Sequence, residues 1–121
     1  QSIKAGKIEK ISIEKESIMG GMSCDEVSLV PWEILKNSVN YCVTISDDNI
    51  SKTVKYLFNS TLSNEKIIGG ECSTPGIISL IAMCNDTKIK DTIDLNKDSN
   101  LLLFGCEGDA DEELYQKLLN N

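Results

Sequence analysis

The residues best suited to chemistry in this chain are concentrated at positions 69–76, with the sequence GGECSTPG, and the apolar run IISLIAM follows at once. Pro75 favours the first turn of a helix, and Ser73 or Thr74 can cap it. The free backbone N–H groups and positive dipole end of such a helix attract an anion or an electron-rich oxygen. Placing the Glu71 carboxylate there costs free energy unless a positively charged or hydrogen-bonding group lies beside it. The alternative is a tight turn whose polar side chains only satisfy the backbone.

Strand and helix patterns alternate along the chain that must position this loop. We predict strands at residues 7–13, 41–46, 66–70 and 100–105. We predict a first helix from Ser28 through about Asn40, with one apolar stripe formed by Val30, Ile34, Leu35 and Val39. A second helix is predicted after Asp47 or Asp48, with one apolar face formed by Ile50, Val54, Leu57 and Phe58. We predict a third helix that begins at Pro75, follows the apolar run and is buried on all sides, and a fourth from about Asp111 to Leu119.

Continuously apolar strands that alternate with helices are typical of a mostly parallel sheet covered on both faces. We therefore predict an α/β fold with three αβα layers, in a single domain spanning residues 1–121. In this architecture ligands bind at the carboxyl ends of the strands. The sequences GGECSTP and GCEGD both fall at such ends.

The composition excludes several classes of function. A net charge of −7 argues against nucleic acid or an anionic membrane as partner, and the apolar runs are shorter than a membrane span requires. With no histidine, the chain lacks a histidine-based triad or zinc-protease site. The five cysteines are odd in number and lack a C-x-x-C pair, which favours reduced core thiols in a cytoplasmic protein over a disulfide framework or a metal site.

Three ordered motifs point to a known family. SIMGGMSCDEVSLVPWEIL, GGECSTPGIISL and LLLFGCEGDADEELY resemble, in this order and at these separations, the C-terminal part of diaminopropionate ammonia-lyase. The corresponding family segments read roughly T-I-M-A-G-L-A-C-G-E with W-E-I-L downstream, S-G-E-S-G-A-x-G, and L-L-F-S-T-E-G-D-T-D. The E-G-D-x-D ending is the most specific of these features.

The resemblance implies a pyridoxal-phosphate enzyme of fold type II, of which this chain is a C-terminal fragment. The family's Schiff-base lysine, catalytic aspartates and phosphate loop belong to the N-terminal part, so we assign no catalytic residue here. The fragment alone is expected to be inactive and not to bind the cofactor. Its expected partners are the N-terminal part of the same enzyme, a second copy in a homodimer, and a small amino-acid substrate.

By resemblance, four residues line the cofactor: Glu71, Ser73, Cys106 and Glu107. Where the family has a Ser-Thr pair, this chain has Gly105 and Cys106, which leaves Cys106, a backbone group or a water to meet the pyridine nitrogen. An uncharged partner there weakens the electron sink and favours elimination over transamination. A surface pair of solvated acids remains the alternative for Glu107 and Asp109.

The sequence IMGGM matches the family's I-M-A-G-L, which places Met19, Gly20 and Gly21 at the substrate. The two glycines would let the backbone approach the ligand, while core packing is the alternative for Met19 and Met22. The implied reaction is α,β-elimination of 2,3-diaminopropionate to pyruvate and ammonia. The alternatives are a serine or threonine dehydratase, a cysteine-synthase-like enzyme, or a non-catalytic metabolite-binding module.

Overall fold

The protein is described by a computed structural model that covers residues 1–121, and it is helical without any β-strand. The prediction of a three-layer αβα fold with a parallel sheet is therefore wrong. Short 3-10 helices lie at Gly20–Met22, Asp47–Asn49 and Glu71–Ser73. The α-helices are α1 (Ser2–Ala5), α2 (Leu29–Ser38), α3 (Ile50–Phe58), α4 (Pro75–Cys84), α5 (Thr87–Thr92) and α6 (Glu112–Asn120).

The segments predicted as strands are not paired with one another. A strand is stable only when a neighbouring strand satisfies its backbone N–H and C=O groups. Residues 100–105 form no backbone hydrogen bond to another segment, and the side chains of Leu102 and Phe104 are each 77% exposed. The apolar pattern of these residues is typical of a sheet interior, but no other strand pairs with them.

Two compact units make up the chain, Gln1–Val43 and Thr44–Asn121. The first contains α1 and α2. Helix α2 follows Ser28 as predicted, but Trp32 is its buried residue, whereas Val30 and Ile34 of the predicted stripe are exposed. The helix was therefore predicted correctly and its buried face was not.

In the second unit, α3 packs against α6 to form the main core. Ile50, Val54 and Leu57 of α3 are buried, as the predicted face requires, and Tyr115 and Leu118 are the buried residues of α6. The α6 prediction is confirmed to within a residue, because Asp111 caps the helix by accepting a hydrogen bond from the backbone N–H of Leu114 at 2.9 Å.

Helix α4 begins at Pro75 as predicted, but it is not buried on all sides. Ile78 is its one buried residue, and Ile81 is exposed. An apolar helix is buried all round only when other elements cover every face, and here α3 and α5 cover part of it. The prediction of complete burial is therefore wrong.

The cysteines also depart from the prediction of core thiols. None of the five forms a disulfide, and only Cys72 is buried; Cys24, Cys42, Cys84 and Cys106 are exposed. None of the helices combines the length and apolar character needed to cross a lipid bilayer.

We predict that Leu118→Ala lowers the free energy of unfolding by about 2–5 kcal/mol, because it leaves a cavity between α3 and α6. The matched control is Leu102→Ala, where the leucine is 77% exposed and little packing is lost. Urea unfolding followed by far-ultraviolet circular dichroism measures both. Equal losses in the two variants would contradict the assignment of the core.

Candidate functional site

The GGECST segment, residues 69–74, is buried along its whole length. It turns through the short 3-10 helix Glu71–Ser73 and leads directly into α4. Neither predicted cap of α4 forms: the hydroxyl of Thr74 donates to the carbonyl oxygen of Glu71 at 2.7 Å, and the hydroxyl of Ser73 points to another segment. The polar side chains of this turn therefore satisfy nearby backbone rather than the start of the helix.

Ser73 fastens this segment to the loop of residues 105–108. Its hydroxyl accepts a hydrogen bond from the backbone N–H of Glu107 at 3.0 Å and donates one to the carbonyl oxygen of the same residue. The backbone N–H of Gly70 donates to that carbonyl as well, at 3.1 Å. We call these three bonds the Ser73–Glu107 clasp. They satisfy both backbone groups of Glu107 and join segments 34 residues apart in the chain.

The backbones of the two segments approach so closely that glycine is required at the contact. A Cβ atom on Gly70 would lie 2.2 Å from the carbonyl oxygen of Gly108, and one on Gly105 would lie 3.2 Å from the Ser73 hydroxyl. By contrast, a Cβ atom on Gly108 itself would meet nothing within 4 Å. The glycines beside Glu71 thus permit packing of chain against chain.

Three titratable side chains meet at this contact. The carboxyl oxygens of Glu71 and Glu107 and the Sγ of Cys72 all lie within 4.8 Å of one another. The Glu71 and Cys72 residues are 9% and 4% exposed. In addition, the backbone N–H of Cys72 donates to the Glu107 carboxylate at 3.4 Å.

The electrostatics of this group favour an uncharged Glu71. Burial raises the pKa of Glu71 above its ordinary value, and the Glu107 carboxyl and the negative charge of Asp111 raise it further, against a lowering by the residue's own backbone N–H. No cation takes part, because the four ion pairs of the chain lie elsewhere.

Next to the clasp lies an apolar cavity of about 610 Å³. Its walls come from α3, α4 and residues 67–68 and 103–104, and its polar edge is formed by Ser73 and Glu107. A space of this size accommodates an organic ring or a small ligand.

The structure brings together three of the predicted site residues, Glu71, Ser73 and Glu107. Cys106 follows in the same loop, with an exposed side chain. The predicted substrate residues belong to the first unit: Met19 is buried, Met22 is exposed, and Gly20–Met22 forms a 3-10 helix. The cofactor and substrate roles stay predictions.

The sequence interpretation missed two members of the site, Cys72 and Gly70. Cys72 supplies the buried thiol, and Gly70 is the point of closest backbone contact. The Gly69-Gly70 doublet directly before Glu71 was the available signal, since a glycine beside polar side chains often marks a close backbone approach.

Comparison with known proteins adds independent evidence. The chain is 27% identical over 117 residues to the diaminopropionate ammonia-lyase of Escherichia coli strain K12, a match that covers 94% of this chain and 29% of the relative. It is 21% identical over 120 residues to the diaminopropionate ammonia-lyase of Salmonella typhimurium, covering 96% of this chain and 30% of the relative.

This chain is similar to diaminopropionate ammonia-lyases over nearly its whole length. The resemblance inferred from the three motifs is confirmed. The chain spans under a third of the length of these ammonia-lyases. No family model matches it, and no solved structure matches it.

We predict that Ser73→Ala destabilises the second unit by about 1–3 kcal/mol, since it removes the hydrogen-bond partner of the backbone N–H of Glu107. The matched control is Ser38→Ala, whose exposed hydroxyl donates to the carbonyl of Ile34 within α2. Urea unfolding compares the two variants. A loss no larger than that of the control would show that the clasp contributes little.

We also predict that Gly70→Ala costs about 1–3 kcal/mol, because the new methyl group must displace the backbone of Gly108. Gly108→Ala is the control from the same contact, since its methyl group enters open space. Thermal unfolding of both variants tests the close approach. A Gly70→Ala protein as stable as Gly108→Ala would refute it.

Proposed function

We propose that this chain is part of a pyridoxal-phosphate-dependent diaminopropionate ammonia-lyase. The reaction is α,β-elimination of 2,3-diaminopropionate, which with one water gives pyruvate and two molecules of ammonia. The observation that carries the proposal is the similarity to proteins of that name along 94% of the chain. Two of the motifs that match in order, GGECSTPG and GCEGD, meet at the contact described above.

The acidic side chains of the site are compatible with the ring end of pyridoxal phosphate but not with its phosphate end. Glu71, Glu107 and Asp111 place acids at this contact, so the phosphate group would be repelled from it. An uncharged ring face is compatible with the cavity edge formed by Ser73 and Glu107. The donor set of this chain therefore fits the ring end of pyridoxal phosphate, and the phosphate site must come from other parts of the enzyme.

Each residue of the site then has a distinct part. Cys106, or a backbone group beside it, would face the ring nitrogen without adding charge. Glu71 would line the ring side of the cofactor. Ser73 would act by holding the 105–108 loop, because its hydroxyl is engaged on both sides by Glu107. When bound, pyridoxal phosphate supplies the electron sink for carbanion chemistry.

The remaining parts of the proposal concern the longer protein. The Schiff-base lysine, the catalytic acids and the phosphate loop would lie in an N-terminal part of the same enzyme, against which this chain would pack. Two copies of the whole enzyme would form a homodimer in the cytoplasm. Apolar side chains exposed here, such as Leu102 and Phe104, suit burial against that part. Met19, Gly20 and Gly21 would line the substrate.

A second candidate is a non-catalytic module that binds a small metabolite. The apolar cavity of about 610 Å³ beside Ser73 and Glu107 is the observation that favours it for the isolated chain. Related fold type II activities, a serine or threonine dehydratase or a cysteine-synthase-like reaction, are the alternatives for the whole enzyme.

We predict that this chain alone releases no pyruvate from 2,3-diaminopropionate, whereas the longer parent protein does so and shows a Schiff-base absorbance band. Parallel assays with pyridoxal phosphate test both. Pyruvate release by the isolated chain would contradict the placement of the essential residues elsewhere. If the parent protein is silent as well, the dehydratase and the binding module become the candidates; serine and threonine as substrates separate these two.

Within the parent protein, we predict that Cys106→Ala changes the cofactor absorbance or weakens cofactor binding. Cys84→Ala is the control, because Cys84 is also an exposed thiol but lies at the far end of α4. Spectra and affinities that are the same in both variants would remove the Cys106 side chain from the site.

A further inference from the structure

We propose that the carboxyl groups of Glu71 and Glu107 share one proton, and that this carboxyl pair makes the contact between residues 69–74 and the 105–108 loop sensitive to pH. The proposal concerns the chain itself and holds whether or not the parent protein is an ammonia-lyase. It assigns Glu71 a conformational role, in addition to any contact with a ligand.

The geometry places the pair where it can act. Glu71 and Glu107 come from the two segments that the Ser73–Glu107 clasp joins, and their carboxyl oxygens lie within 4.8 Å of each other. Glu71 is 9% exposed and Glu107 is half-buried, so water screens the pair only in part. A carboxylic acid can donate its proton to a neighbouring carboxylate, whereas two carboxylates at this distance repel each other.

The groups around Glu71 include no positively charged side chain that could neutralise the carboxyl pair. The titratable groups that face Glu71 are the Glu107 carboxyl, Asp111 at the start of α6, and the thiol of Cys72. All three are acids, and no lysine is among the groups that act on Glu71. A proton is therefore the only cation that the chain itself provides to this contact.

The direction of the effect follows from linkage. The pKa of Glu71 is raised in the closed contact, so closure binds a proton more tightly than the open state does. The stabilisation is complete below the ordinary pKa of 4.5 and is lost as the pH rises through the raised value. The contact should loosen on the alkaline side of that range, and with it the placement of Cys106.

Amide hydrogen exchange measures this loosening directly. The amides of Gly70, Cys72 and Glu107 donate across the contact, to the Glu107 carbonyl, the Glu107 carboxylate and the Ser73 hydroxyl. We expect their protection factors, corrected for the intrinsic pH dependence of exchange, to fall several-fold as Glu71 ionises. The Leu118 amide in α6 serves as an internal reference. A chelator in the buffer removes any contribution from metal ions.

Variants assign the effect to the pair. Glu71→Gln should keep the contact protected at every pH, because the new side-chain amide donates permanently to the Glu107 carboxylate. Glu107→Gln should also keep it protected at every pH, because its new side-chain amide donates to the Glu71 carboxylate. Cys72→Ser should retain the pH dependence, as should Glu33→Gln, which removes an exposed acid of α2.

Two results would overturn the proposal. One is pH-independent protection of these three amides in the unmodified chain. The other is a pH dependence that persists unchanged in Glu71→Gln. The first result needs no variant, so the test remains decisive if a substitution prevents folding.

Discussion

The contact between residues 69–74 and the 105–108 loop depends on one side-chain group, the hydroxyl of Ser73, which satisfies both backbone groups of Glu107. A loop that crosses a buried segment must find hydrogen-bond partners for its backbone N–H and C=O groups. Because the loop is irregular, the regular backbone hydrogen bonds of a β-sheet or an α-helix do not supply these partners. Ser73 supplies both within one residue, and Gly70 adds the third bond of the clasp. The glycine at position 70 is a consequence, since no larger residue fits against the Gly108 carbonyl.

The clasp also determines the electrostatics. Once Glu107 is held over residues 69–74, its carboxyl lies against Glu71, and two acids share a poorly solvated place. Burial of a carboxylate is unfavourable without a cation or donors. Burial is the largest cause of the raised pKa of Glu71, and the acids beside it, Glu107 and Asp111, raise it further.

Several features followed from the sequence because they depend on local interactions. The starts of α2, α4 and α6 were predictable from Pro75, from helical spacing and, for α6, from the Asp111 cap, and helical spacing also predicted the buried residues Ile50, Val54 and Leu57 of α3. The grouping of Glu71, Ser73 and Glu107 was also anticipated, through the family resemblance. The pairing of Ser73 with the Glu107 backbone was not, because a contact between residues 34 apart leaves no periodic signal.

The sequence by itself determined where helices begin, which loops carry the polar side chains, and which family the chain resembles, because each rests on neighbouring residues or on ordered motifs. Only the tertiary structure decided whether apolar segments such as 100–105 are paired, which sides of α2 and α4 are covered, and that Glu71 meets another acid instead of a cation. Pairing, covering and charge balance all depend on a second segment brought from elsewhere in the chain. An apolar pattern indicates that burial of a segment is favourable, but only the tertiary structure determines whether another segment covers it.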